Sequence, residues 1–190
     1  MAILTYKFDD QTQLSPHFNA REFRCSCGKS HETLIASELV DRLEALYTAL
    51  NCSKIIVTSG YRCPEHDKAV GGTSSGQHTK GTAADVCCYG QDGQPISSKT
   101  VCCKAQNLGF GGIANITSSY QYTHLDVRTG YRWLGDETKG NGTVTEDFYK
   151  YFGIEKSEPE TKNLLKGIDV RSEEHTSELQ SLRRISYAVF

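Results

Sequence analysis

The chain has 190 residues, which is enough for one domain with a buried core and a terminal extension. Hydrophobic residues make up 37% of the sequence and charged residues 23%, the ordinary balance of a globular protein. The formal net charge of -2 argues against the basic surface that binds nucleic acids or anionic membranes. No apolar run approaches the roughly 20 residues of a membrane-spanning helix, so membrane insertion is not expected. We expect a monomer.

The N-terminal sequence MAILTYKFDDQ reaches acidic side chains after one short apolar run. It lacks the basic, apolar and small-residue order of a secretory signal peptide. We therefore expect synthesis in the cytoplasm, and any function outside the cell needs another exit route.

The first predicted elements are an entry segment and a long helix. Phe18 and Phe23 are predicted to be apolar anchors of the entry segment. Residues 33–50 carry apolar side chains at the spacing of an amphipathic helix. This helix is predicted to begin at Thr33, or at the residue before it, and to stop at Asn51.

The rest of the chain alternates between short strands and helices. Pro64 suits the first turn of one helix, and Ser97 is a possible cap of the next. The predicted strands lie at 54–58, 82–89, 112–116 and 122–127, and the predicted helices at 64–70, 97–108 and 144–152. Helices mixed with a small, mainly antiparallel sheet predict the α+β class.

The C-terminal part differs from the predicted domain at 1–153. Residues 154–170 form a polar linker in this interpretation. In 171–190, the stretches RSEEHTSELQS and ISYAVF resemble, in order, the translation of a sequencing-adapter oligonucleotide. We therefore interpret 171–190, including His175, as a non-native tail that has no functional role.

The eight cysteines do not have the placement of a disulfide framework. Two pairs are adjacent in sequence, at 87–88 and 102–103, and neighbours in a strand point to opposite faces. Without a signal peptide, reduced thiols are the better prediction. Cys25 and Cys27, followed by His31, leave open a structural zinc site, although a single residue between two ligands is unusual.

Two phrases contain the residues with the clearest chemistry, GQHTKGTAAD at 76–85 and YTHLDVR at 122–128. Asp85 lies in an apolar strand, where an unpaired carboxylate is costly and a metal partner would remove the cost. Gly81 permits the tight turn that lets His78 approach it. His124 could supply a third ligand, and two histidines, one carboxylate and a water form a catalytic zinc set with an open position.

Each of these residues also has an ordinary structural interpretation. Asp85 alone could cap a turn, and His124 alone could be a hydrogen-bonded core histidine. The two phrases together are more specific than either residue. On the second strand, Tyr122, His124 and Asp126 alternate onto one face.

The first phrase resembles the S-x-H-x-x-G-x-A-x-D signature of the peptidase M15 family, which includes D-alanyl-D-alanine carboxypeptidases and phage endolysin endopeptidases. The upstream SGYR at 59–62 matches another phrase of that family, and LSPHFNAREFRC resembles the entry segment of its phage-type subgroup. The resemblance covers roughly residues 12–152. One position departs from the signature, because Gly76 stands where the family has serine.

The resemblance implies the zinc peptidase fold shared by hedgehog domains and DD-peptidases. It implies that His78, Asp85 and His124 bind Zn²⁺, and that Arg62 holds a substrate carboxylate with its two-pronged guanidinium. It implies a general base three residues before the last ligand, a position that Gln121 occupies and cannot serve.

Asp126 is the nearest alternative base, and it is equally suited to orienting a histidine ligand. At the usual strand rise it lies about 7 Å along the strand from His124, too far for contact unless the side chains lean together. The remaining candidate bases are Asp136, Glu137, Glu146 and Asp147.

The function implied is a zinc metallopeptidase that hydrolyses peptidoglycan stem peptides at the bacterial cell wall. Both D-Ala-D-Ala carboxypeptidase and L-Ala-D-Glu endopeptidase chemistry remain open, in a phage endolysin or in a wall-remodelling enzyme. Gln121 leaves open a non-catalytic, zinc-containing binding module of the same fold. The cysteines leave open a redox or structural metal protein.

Overall fold

The computed structural model of the protein describes residues 1–117, 120–140 and 142–156. The chain divides into two units, Met1–Glu155 and Lys156–Phe190. All the described secondary structure belongs to the first unit. The predicted tail at 171–190 and most of the predicted linker lie outside the described residues.

The N-terminal part combines short strands with one helix. Its strands are β1 (Ile3–Tyr6), β2 (Gln13–Ser15), β3 (Phe18–Asn19) and β4 (Thr33–Ala36), and the helix is α1 (Ser37–Ala49). A 3-10 helix, Ala20–Phe23, follows β3. Strand β1 pairs with β4 and β2 pairs with β3, both antiparallel.

The remaining elements build the main sheet and its helices. They are β5 (Lys54–Ser59), α2 (Pro64–Ala69), β6 (Ala83–Tyr89), α3 (Ser98–Asn107), β7 (Gly112–Thr117), β8 (Tyr122–Asp126), β9 (Trp133–Asp136), β10 (Gly142–Thr143) and α4 (Phe148–Phe152). Two further 3-10 helices lie at His78–Lys80 and Glu137–Lys139.

The main sheet has six strands in the order β10-β9-β7-β8-β6-β5. Neighbouring strands are antiparallel except β7 and β9, which run parallel. Helices α1 and α3 pack against each other and against β6. This arrangement confirms the predicted α+β class.

The core lies between this sheet and the helices. Phe18 and Phe23 are fully buried, as expected of anchors. The largest buried side chains of α1 are Leu39, Leu43 and Leu46, at the helical spacing that predicted this face. No helix among the described residues is long and apolar enough to cross a membrane.

Two predicted helix boundaries are wrong, each because backbone pairing continues where a helix was expected. Residues 33–36 form β4, since they pair with β1 from Thr33 to Ala36, and α1 begins only at Ser37. Helix α4 begins at Phe148 rather than at Val144. The backbone N–H of Val144 instead donates to the carbonyl of Leu134 at 2.9 Å.

Candidate metal centre

The pairing of β6 with β8 brings the two sequence phrases together. In this antiparallel pair Asp85 stands directly opposite His124, so their side chains share one face of the sheet. His78 reaches the same face from the 3-10 helix that precedes β6. Gly81 makes the turn between them with φ +71°, a left-handed conformation that favours glycine.

The three predicted ligands converge on one point. The Nδ1 atom of His124 lies 2.9 Å from Oδ1 of Asp85, and Nε2 of His78 lies 3.3 Å from the same oxygen. The two histidine nitrogens are 3.2 Å apart. All three residues are buried or nearly so, with His78 7% and Asp85 8% exposed. The structure therefore brings the three predicted ligands together, and their role in binding a metal stays a prediction.

Hydrogen bonds on the far side of each imidazole assign its tautomer. Nδ1 of His78 lies 2.7 Å from the carbonyl oxygen of Gly60, which can only accept, so this nitrogen donates. Nε2 of His124 lies 3.1 Å from Oδ2 of Asp126, which again accepts. The remaining nitrogen of each ring faces Asp85, as metal-binding histidines require.

The electrostatics of the three groups also suit a cation. Burial raises the pKa of a carboxyl, yet hydrogen bonds with His124 and His78 hold the pKa of Asp85 well below its usual range. Burial disfavours the imidazolium of His124, but its bonds with Asp126 and Asp85 raise its pKa to about 9. A divalent cation would replace the Nδ1 proton of His124 and neutralise Asp85, so these residues fit a Zn²⁺ ion.

Asp126 leans toward His124 and is fully enclosed. Its carboxylate is 0% exposed and accepts from Arg128, whose Nη2 is 2.5 Å from Oδ2 and whose Nε is 2.9 Å from each oxygen. Arg128 itself lies over the Trp133 ring, with 5.1 Å from its Cζ to the ring centroid. These contacts match the orienting role left open for Asp126.

Arg62 stands on the other side of Asp85. Its Nη2 donates to Oδ2 of Asp85 at 2.5 Å, and its Nε donates to Ser59 at 2.8 Å. Its Nη1 lies 3.5 Å from Asp67. A guanidinium has five N–H donors, so these contacts leave donors for a ligand.

The side chain of Gln121 does not point to the site. It lies on a left-handed backbone, φ +56°, and its Oε1 accepts from the backbone N–H of Ser98 at the start of α3. The position at which the sequence resemblance implies a base is therefore directed to a helix terminus in this chain.

Three of the remaining candidate bases are engaged elsewhere. Asp136 is buried and accepts from Thr138, Asn115 and Tyr151. Glu146 pairs with Lys150, and Asp147 accepts from the backbone N–H of that same lysine. Glu137 differs, because it is exposed and lines the cleft that contains the three predicted ligands.

This cleft has a volume of about 490 Å³, which suits a short peptide. Besides the three predicted ligands its lining includes Arg62, Arg128, Trp133 and Glu137. The sequence motifs assigned no role to Arg128 or Trp133. Alternation along the strand could have found Arg128, which continues the face of His124 and Asp126. Nothing local could have placed Trp133, whose strand joins this site through parallel pairing with β7.

Comparison with known proteins adds a family to this geometry. A search of curated proteins finds no match to the sequence. A family model described as Peptidase M15 matches residues 16–126. The matched segment contains His78, Asp85 and His124, and it covers more than half of the chain's 190 residues. This protein is therefore a member of the peptidase M15 family, and as such a hydrolase of peptide bonds.

Proposed function

We propose that this protein is a zinc-dependent peptidase that cleaves the stem peptides of bacterial peptidoglycan. The observation that carries the proposal is the convergence of His78, Asp85 and His124, with ligand atoms within 3.3 Å of one another, in an open cleft. The resemblance to wall-degrading members of the family supports the choice of substrate.

The chain's own residues divide the remaining tasks. A bound zinc would polarise the scissile carbonyl and lower the pKa of a water toward about 7. Asp126 and the carbonyl of Gly60 hold the two imidazoles in the orientation that exposes one bare nitrogen of each. Burial raises the pKa of Asp126, but its hydrogen bonds with His124 and Arg128 hold that pKa below its usual range, and Arg128 keeps the carboxylate in place.

Arg62 is proposed to orient the substrate. It lines the cleft beside Asp85, and stem peptides carry free carboxylates that its planar donors fit. Its bonds to Ser59 and Asp85 fix the guanidinium before a substrate arrives, which reduces the entropy lost on binding.

Glu137 is proposed as the general base. Asp126 has no exposed surface, and both of its oxygens accept from Arg128. Glu137 is a carboxylate on the wall of the same cleft with access to solvent. It would take a proton from the attacking water and return it to the leaving amine.

The direct test is digestion of purified peptidoglycan followed by mass spectrometry of the soluble products. We expect release of D-alanine or of stem peptides, loss of this release with a chelator, and recovery on addition of zinc. The His78→Ala variant should be inactive, whereas His17→Ala should be active because His17 lies on the surface against Tyr47.

The products separate the open alternatives. Free D-alanine identifies a carboxypeptidase, and new N-terminal D-glutamate identifies an endopeptidase. A protein that binds zinc and sedimented peptidoglycan but releases no product would overturn the proposed catalysis. That result would favour the non-catalytic binding module, which the direction of the Gln121 side chain keeps as the second candidate.

A further inference from the structure

A second group of metal-ligating atoms lies outside the histidine–aspartate site. The sulfur atoms of Cys25, Cys27 and Cys63 lie within 4.8 Å of one another. Two of these residues follow the 3-10 helix Ala20–Phe23, and the third directly precedes α2. The fold therefore brings together thiols from two distant parts of the sequence.

The three thiols are enclosed rather than scattered on the surface. Cys25 is 3% and Cys63 4% exposed, and Cys27 is partly buried. All three are free thiols. The backbone N–H of Cys63 points at Sγ of Cys25, with 3.4 Å between nitrogen and sulfur. Gly28, at φ +80°, reverses the chain immediately after Cys27.

We propose that Cys25, Cys27 and Cys63 bind a structural Zn²⁺ ion. Three convergent thiolates form a soft donor set that suits zinc, and structural zinc sites in proteins are commonly built from three or four cysteines. A disulfide would use only two of the three sulfurs. Binding releases the thiol protons, and the charge of the ion then stabilises the buried thiolates.

The fourth position of a tetrahedral site would take water, or His31 after a movement of its side chain, because the His31 ring nitrogens do not lie within 4.8 Å of all three sulfur atoms. The Nε2 atom of His31 is buried and has no hydrogen-bond partner among the described residues. It follows Cys27 by four residues, which is within the spacing seen between zinc ligands on one loop.

The ion would fasten the segment that orients the catalytic site. The backbone N–H of Tyr61 donates to the carbonyl of Phe23 at 2.7 Å, and Gly60 packs directly against the Phe23 backbone. The same segment supplies the Gly60 carbonyl to His78 and continues into Arg62, next to Cys63. This functional consequence rests on the proposed peptidase activity, whereas the metal site does not.

The experiment measures metal content and cobalt spectra of the full chain, purified with reductant. We expect two zinc ions per wild-type chain. Cobalt-substituted protein should show the near-ultraviolet charge-transfer absorption of cobalt bound to thiolate. The Cys25→Ser/Cys63→Ser variant should lose one ion and this absorption. His78→Ala should lose the other ion and keep the absorption. The two variants therefore test the cysteine site and the proposed catalytic zinc site separately.

Cys87→Ser is the matched control. Cys87 is a buried thiol on β6, outside the cluster, and its Sγ lies 3.5 Å from the carbonyl oxygen of Tyr120, which a serine hydroxyl can also use. It should keep both ions and the absorption. The proposal is overturned if reduced wild-type protein lacks the absorption, or if the double cysteine variant keeps two ions.

A second measurement tests the proposal without the double cysteine variant, in case that variant fails to fold. Folded His78→Ala protein should hold one zinc, and titration with a mercurial thiol reagent should release it as three thiols react. Zinc that stays bound after these thiols are modified would overturn the assignment, as would an intact mass showing a disulfide in freshly reduced protein.

Discussion

At the scale of single residues, the site consists of a chain of carboxylates and cations around two imidazoles. Arg128 holds Asp126, Asp126 orients His124, and His124 faces Asp85. Each contact fixes the protonation of the next group, because a carboxylate accepts only and a guanidinium donates only. The geometry proposed to bind the metal is therefore prepared by hydrogen bonds that lie behind the three predicted ligands.

The first prediction concerns Asp126. Asp126→Asn removes the charge that fixes the His124 tautomer, so zinc affinity should fall roughly 10–100-fold while the fold is retained. Competition with a fluorescent chelator measures the affinity. Excess zinc should restore peptidase activity, since Glu137 is the proposed proton-transfer group. Normal zinc affinity with turnover lost at saturating zinc would instead identify Asp126 as the base.

The second prediction concerns Glu137. Glu137→Gln should keep zinc and substrate binding but lose about 10²–10⁴-fold in turnover, the usual contribution of a general base. Steady-state kinetics on a soluble stem peptide, with metal analysis of the same sample, measures both. Glu146→Gln is the matched control, because Glu146 is an exposed glutamate paired with Lys150. Equal turnover in the two variants would remove Glu137 from the mechanism.

At the scale of elements, the site depends on the turn between the 3-10 helix His78–Lys80 and β6. The carbonyl of Gly81 accepts from the backbone N–H of Ala36, where β4 ends, at 2.8 Å. A side chain at Gly81 would overlap the backbone of Leu34. The small β1–β4 sheet therefore supports the turn that places His78 beside Asp85.

The third prediction tests this support. Gly81→Ala combines a left-handed backbone with overlap against Leu34, so we expect a loss of about 2–4 kcal/mol in the free energy of unfolding and weaker zinc binding. Gly93→Ala is the matched control, with φ +74° and open space around it, and should cost about 1 kcal/mol and leave zinc affinity unchanged. Urea denaturation and zinc competition measure the two effects. Equal losses in both variants would mean that the contact with Leu34 does not matter.

At the scale of the whole molecule, the sequence predicted the elements that have a local pattern of their own. It missed the strands that form only by pairing with a distant part of the chain. The strands around 54–58, 82–89 and 122–127 and the helix at 97–108 have patterns that identify them without their neighbours, and the structure has elements there. Strand β4 was taken for helix because its partner is β1, some thirty residues earlier.

The residues of the candidate sites also divide into those found from local motifs and those that only the fold brings together. His78, Asp85 and His124 were found because they lie in two short phrases with recognisable spacing. Cys63 was not joined to Cys25 and Cys27, because no sequence pattern links ligands across that separation. From the sequence, Glu137 was one of four acidic residues that were equally good candidates for the general base. The order of β7, β8 and β9 places it on the cleft wall.

The last prediction concerns metal removal from the whole protein. The histidine–aspartate ligands come from β6, β8 and the turn before β6, and the cysteines join the N-terminal segment to α2, so bound ions would cross-link most of the folded unit. An ion that binds the native state at about 1,000 times its Kd adds about 4 kcal/mol.

For a domain of this size each kcal/mol shifts Tm by roughly 2–4 °C, so a strong chelator should lower Tm by roughly 10 °C or more, reversibly on addition of zinc. Differential scanning calorimetry measures this shift, and the same chelator saturated with zinc is the control. In His78→Ala the chelator should still lower Tm, but by a smaller amount, because only the ion bound to the cysteine cluster is then removed. A chelator without effect on Tm in the wild-type protein would show that neither site is coupled to folding, because an ion bound only to the native state must stabilise it.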